Sequence, residues 1–294
     1  MTATTIPPVR IATGPAYLAA LSGIAAFSVM DAVMKALTLE LGAYNAMVWR
    51  SWIALAIMTP LYFATRKSWP DRRAMKLHLL RGSISGVMAF TFFWGIARVP
   101  LAEGIALSFV APLIAIYLSA VFLHEKVQQG AIAASLISLS GVVVIAAARA
   151  SGEFSTDTLW GLGSIMISAI LYAANITMMR AQAQAAGPVE IAFFQNLVVS
   201  VQLGLLAPFL LEMPTLDVLV RMSGASLLTV YALFILAWAY ARGQTQHLVS
   251  TEYTAFIWAS LFGWWFFAET VTLTTLAGCA LIVTGCLMAT RNKE

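Results

Sequence analysis

Ten mostly apolar stretches alternate with short polar breaks along this chain. They run over 15–37, 44–64, 77–96, 101–123, 130–148, 159–179, 189–211, 219–241, 248–268 and 273–289. Each is close to the roughly 20 apolar residues that a helix needs to cross a bilayer. The breaks at 98–100, 124–129 and 242–247 are only a few residues long, and the longest, near 66–76, is still short. The pattern predicts an all-α, polytopic membrane protein of ten transmembrane helices, with no room between them for a soluble catalytic or nucleotide-binding domain.

The pattern also repeats. Sliding the chain by 144 positions lays 92–145 on 236–289 without a gap, pairing Trp94 with Trp238, Ala111 with Ala255, Glu125 with Glu269 and Gly141 with Gly285. A shift of 145 extends the match upstream, setting Lys35 on Arg180. The expected organisation is a tail (1–14), a first five-helix repeat (15–148), a linker (149–158), a second five-helix repeat (159–289) and a tail (290–294). No small-residue cleavage site follows the first stretch, so it reads as a retained helix.

Composition agrees: 61% of residues are hydrophobic, 10% are charged, and the mean hydropathy is +0.85. Soluble domains carry about 25% charged residues. Lysine and arginine are divided unevenly between the loops. One side has Arg10, Arg66, Lys67, Arg72, Arg73, Lys76, Arg81, Lys126, Arg180, Arg242, Arg291 and Lys293, and the other Lys35, Arg98, Arg149 and Arg221. By the positive-inside rule both termini face the cytoplasm. This asymmetry explains the pI of 9.2 without a nucleic-acid partner. Five spans per half is an odd number, so the second repeat starts on the opposite side from the first. The repeats are therefore expected to be inverted, an arrangement that places a transporter's substrate near the midplane.

A span followed by Glu, a β-branched residue and a Gly-containing helix occurs at both equivalent places, as FLHEKVQQG before Gly141 and FFAETVTLTTLAG before Gly285. With these motifs the chain resembles the drug/metabolite transporter superfamily and its ten-helix EamA-type exporters. Its Trp- and Met-rich composition is similar to their bacterial aromatic amino-acid exporters. His124 stands where a glycine is commoner. The resemblance implies two inverted five-helix repeats around a central cavity, lined by the third, fourth, eighth and ninth helices with help from the first and sixth.

Charges at membrane depth mark function or a paired structural role. Asp31 and Arg50 fall about ten ångströms inside the same face, at ~1.5 Å per residue. They form either a clamp between helices or the poles that meet a zwitterionic substrate. Lys35, one turn beyond Asp31, is an alternative carboxylate partner, and Asn175 and Gln195 stand near the corresponding places of the second half. Glu252 has only Ser108 as its repeat mate and is a candidate for titration or for contact with a substrate amine; the structural alternative is an interfacial glutamate. Pro112 predicts a bend in the fourth helix, beside Ser108, Phe109 and Tyr117. His78 and Arg81, one turn apart, flank the cytoplasmic start of the third helix, either snorkelling or flanking an inner gate, and Ser85 lies among its small residues. Trp69, Trp160 and Trp238 fit interfacial belts. Trp94, Tyr172, Tyr231, Tyr253, Phe256 and Trp258 lie deeper and are candidates for an aromatic-walled cavity.

No HExxH, GxSxG, P-loop or dinucleotide motif is present, so no catalytic residue, metal site or cofactor is expected. Cys279 and Cys286 read as packing residues. The expected function is export of small metabolites, above all amino acids with aromatic or bulky apolar side chains, across the bacterial inner membrane by alternating access. The alternatives are export of other amphiphiles or drugs, an uptake carrier, and a lipid- or polyprenyl-handling flippase or enzyme. The expected partners are a small-molecule substrate and the lipid bilayer, with a single chain as the working unit.

Overall fold

The computed structural model describes residues 13–66, 68–123, 129–150, 156–240, 248 and 251–291. Outside it lie Arg10, Lys67, His124, Glu125, Lys126, Arg242, His247 and Lys293. The described chain is helical and contains no strand. Its helices are α1 (Thr13–Thr65), α2 (Arg72–Ile96), α3 (Leu101–Ser108), α4 (Ala111–Leu123), α5 (Gln129–Ala150), α6 (Thr156–Ala185), α7 (Pro188–Gly204), α8 (Ala207–Leu210), α9 (Leu216–Tyr240), α10 (Thr254–Phe267) and α11 (Leu273–Arg291). Five helical stretches are long and apolar enough to cross a membrane, and three shorter ones, 132–148, 254–267 and 273–288, are also apolar.

Gly42 breaks α1 into two arms, with φ 78° and ψ 155°. That left-handed φ is open to glycine and costly for residues with a Cβ. The arms fold back on each other, since Asp31 and Arg50, 19 residues apart in sequence, interact electrostatically. The second half breaks at the matching place, where Gly187 caps the N-terminus of α7. At the start of α2, the Asp71 side chain accepts the Ala74 N–H at 2.7 Å, satisfying one of the free amides of the first turn.

Helix packing follows the sequence repeat. α1 lies on α9 as α6 lies on α2, and α1 meets α10 as α6 meets α4. The two last helices of the halves, α5 and α11, pack on one another. A Cβ on Gly141 would come within 2.5 Å of the Gly278 carbonyl, and a Cβ on Gly285 would overlap Ser138 and the Ala134 carbonyl. The 144-residue shift turns Gly141 into Gly285 and Gly278 into Ala134, so each contact is the image of the other. Between them Ser138 donates to the carbonyl of Ile282, its own repeat mate, at 3.0 Å. Because 134, 138 and 141 meet 285, 282 and 278 in turn, the two helices cross in opposite directions.

Candidate functional site

The centre of the bundle is marked by another pair of repeat mates. α3 ends at Ser108, and Phe109 and Val110 interrupt the helix before α4 begins. Tyr253 occupies the same repeat position and forms the turn before α10. The Phe109 and Tyr253 rings meet edge-on, with centroids 5.3 Å apart. The break lies just upstream of Pro112, which sits exposed in the first turn of α4, where a missing N–H breaks no intrahelical bond. Ser108 bonds back to the Gly104 carbonyl at 2.9 Å. Tyr117 ties α4 to α5 through Ser135 at 2.9 Å. Phe256 packs on the central core, whereas Trp258 stacks along its own helix on Phe262.

Asp31 and Arg50 face each other across the fold in α1, and both are half-buried. No hydrogen bond or ion pair joins their side chains among the described residues. Arg50 lies 5.5 Å from the centroid of the buried Phe93 ring, and its Nε is closed off without a partner. Trp49 and Trp52, one on either side of it in sequence, pack partly buried against the same core.

At one end of the bundle the halves are tied by charge. Lys35, 3% exposed, donates to the Glu269 carboxylate and, at 2.7 Å, to the Val99 carbonyl. The other Glu269 oxygen accepts the Leu101 N–H at 2.7 Å, at the start of α3. Glu269 is aimed by a turn in which Ala268 takes a left-handed φ of 53° and Glu269 donates its N–H to the Gly263 carbonyl. A Cβ on Gly263 would lie 2.8 Å from the Glu269 carboxylate, so the glycine makes the space it needs. Glu103, 2% exposed, accepts from Thr275 at 2.9 Å and lies within electrostatic reach of Lys35. The crevice beside this cluster, lined by Glu103, Ser260, Gly263 and Glu269 among others, has no room for water.

A second polar network joins α2, α6 and α7. Arg81 donates from Nε to Asn175 at 2.9 Å and from Nη1 to Gln182. Gln182 bonds to His78 Nδ1 at 2.7 Å, His78 Nε2 meets Glu190 at 3.1 Å, and Asn175 donates to Ser85. His78 is fully buried and stacks on Phe194. Tyr172 is within electrostatic reach of both Arg81 and the exposed Glu252. This network contains three of the predicted residues, His78, Ser85 and Asn175, and Asn175 turns to α2 instead of to Gln195. Trp94 and Tyr231 belong to neither group. Trp94 lies under the Arg98 guanidinium, and Tyr231, 49% exposed, meets Ser22 at 3.2 Å.

The sequence pattern of the EamA-like transporter family matches residues 14–147 and 159–291. The chain belongs to this family. The Pseudomonas aeruginosa protein described as pseudopaline exporter CntI is 24% identical over 271 residues, covering 91% of this chain and 93% of that protein. A riboflavin transporter of Rhizobium johnstonii is 26% identical over 300 residues, 99% and 95% of the two chains. A probable terminal-alkyne amino-acid exporter of Streptantibioticus cattleyicolor is 29% identical over 108 residues, 36% of each. A solved crystal structure shares the fold, with a TM-score of 0.63 and 20% identity over 96% of this chain and all of the other.

Three groups of this EamA-like chain do not stand out from the sequence alone. Glu269 was visible as a motif residue but not as the partner of Lys35. Glu103 was a carboxylate inside a predicted span and should have been singled out with Asp31, Arg50 and Glu252. Arg81 was read only as flanking a helix start, although its spacing from Ser85 puts both on one helical face.

Proposed function

We propose that the protein is a secondary transporter of the bacterial inner membrane, exporting small metabolites by alternating access without a chemical step. Its preferred cargo is amino acids with aromatic or bulky apolar side chains. In this reading ten transmembrane helices form two inverted five-helix repeats, 15–148 and 159–289, with both termini cytoplasmic and a central cavity between the halves.

The observation that carries the reading is the self-mated crossing of α5 and α11. Two helices that are sequence equivalents, cross in opposite directions and exchange contacts under the 144-residue shift are what a two-fold axis in the membrane plane requires. The touching breaks at Phe109 and Tyr253 lie on the same axis. Interrupted helices at the repeat interface are the usual place for a transporter's substrate.

The substrate-facing candidates are Ser108, Phe109, Tyr253 and Phe256 at the breaks, with Tyr172 and Glu252 toward the cytoplasmic side. Asp31 and Arg50 are the candidates toward the outer side. In this reading Lys35 and Glu269 stand toward the outer end and act as its closure. The amino-acid cargo is supported by the aromatic, sparsely charged interior and by the relative named as an amino-acid exporter. The riboflavin transporter relative, which matches nearly the whole chain, favours a second reading in which the cargo is a flat aromatic metabolite.

Purified protein in liposomes loaded with a labelled amino-acid panel tests the reading. Time-dependent, saturable exchange of the aromatic and bulky apolar members is expected; no protein-dependent flux of any amino acid overturns it.

A further inference from the structure

Asp31 and Arg50 break a rule that other charges of this molecule obey. Lys35 is bonded to Glu269 and Val99, Arg81 to Asn175 and Gln182, Arg98 to Asp157, and Arg221 to Glu40 and Asp217. Asp31 and Arg50 sit on apolar helices in the interior, and the described residues give their side chains no hydrogen bond. A buried charge without hydrogen bonds costs several kcal/mol, and through-space attraction alone offsets little of that. Lys35 cannot neutralise Asp31, because its ammonium is committed to Glu269. The two charges are close enough to interact but are not bonded to each other, each is only partly buried, and the Arg50 guanidinium lies 5.5 Å from the centroid of the Phe93 ring.

We infer that Asp31 and Arg50 are the two poles of a recognition site for a zwitterion, with Arg50 taking an α-carboxylate and Asp31 the α-ammonium of the same molecule. The inference rests on the carrier reading above and deepens it, because it names the chemical groups that the site requires. The guanidinium presents a planar fork that matches a carboxylate with two parallel hydrogen bonds. Its carbon lies 5.5 Å from the Phe93 ring centroid and its Nε is closed off, which leaves the two terminal amino groups for the ligand. A zwitterion adds no net charge, so the neutrality of the site is kept as the cargo enters and leaves. A ligand with only one charged group would leave one pole unbonded, and discrimination against it follows from that penalty.

The test uses the full chain in liposomes, with exchange of labelled phenylalanine as the readout. Competitors are phenethylamine, which lacks the carboxylate, and 3-phenylpropionate, which lacks the ammonium. Unlabelled phenylalanine is expected to compete at least about tenfold better than either analogue, the size of one charge-assisted hydrogen bond. Arg50→Lys keeps the charge, and so the fold, but loses the fork. It is expected to raise KM at least about tenfold with Vmax largely retained. Asp31→Asn is expected to raise KM for phenylalanine and to narrow its advantage over 3-phenylpropionate. Wild-type KM in both variants, or an analogue that competes as well as phenylalanine, overturns the assignment of the poles and leaves the carrier reading intact. Wild-type protein that moves labelled riboflavin but no amino acid overturns the assignment of the poles together with the amino-acid cargo and favours the flat aromatic cargo, and protein that moves neither overturns the carrier reading as well.

Discussion

Ser138 and Ile282 stand 144 positions apart and meet where α5 crosses α11, the hydroxyl donating to the carbonyl at 3.0 Å. A contact between a residue and its own repeat mate is what the two-fold axis proposed above would produce. Phe109 and Tyr253 make another such contact at the centre of the molecule. The first pair lies at a continuous helix crossing and the second at two interrupted helices.

The crossing depends on missing side chains. Gly141→Val and Gly285→Val each drive a side chain into the backbone of the facing helix, so each is expected to destabilise by about 1–3 kcal/mol. Thermal unfolding in detergent checks this. Gly163→Val is the control, since a Cβ there meets nothing within 4 Å, and it should leave the melting temperature near the wild-type value.

Much of this frame was legible in the sequence because hydrophobic runs and a gapless repeat depend on nothing but spacing. The described parts of the ten apolar stretches are mainly helical, with interruptions at 109–110, 205–206 and 253. The interruptions were harder to place: Pro112 pointed to the fourth helix, but the break falls at Phe109, because proline is tolerated in a first helical turn and the chain deforms before it. Tyr253, with no proline near it, carried no local signal. The partners of buried charges were the least legible part, since Lys35 and Glu269 are 234 residues apart and only the fold brings them together.

Lys35 and Glu269 tie the two halves together, and removing one partner strands the other. Glu269→Gln or Lys35→Met is expected to cost about 3 kcal/mol, somewhat less if the 18% exposure of Glu269 admits water. The double variant Lys35→Met/Glu269→Met is expected to recover part of that loss. A double-mutant cycle on thermal unfolding measures the coupling, and additive losses would show that the two charges do not act together.

The contact between Phe109 and Tyr253 contributes about 0.5–1.5 kcal/mol as an edge-to-face pair. Tyr253→Phe preserves the ring and is expected to transport at close to the wild-type rate, whereas Tyr253→Ala is expected to lose most of its flux with only a modest fall in melting temperature. Initial rates in liposomes, set beside thermal unfolding of the same samples, separate a role in transport from one in stability.

The proposed inversion of the halves is open to one direct labelling experiment. Glu40 and Ala185 are repeat mates under the 145-residue shift, and both are exposed near the first helix break of their halves. Single cysteines at these positions, in a protein whose buried Cys279 and Cys286 are replaced by alanine, are treated on intact cells with a membrane-impermeant maleimide. Glu40→Cys is predicted to label from outside and Ala185→Cys only after the membrane is opened. Labelling of both from the same side would contradict the inverted arrangement and the alternating cavity built on it.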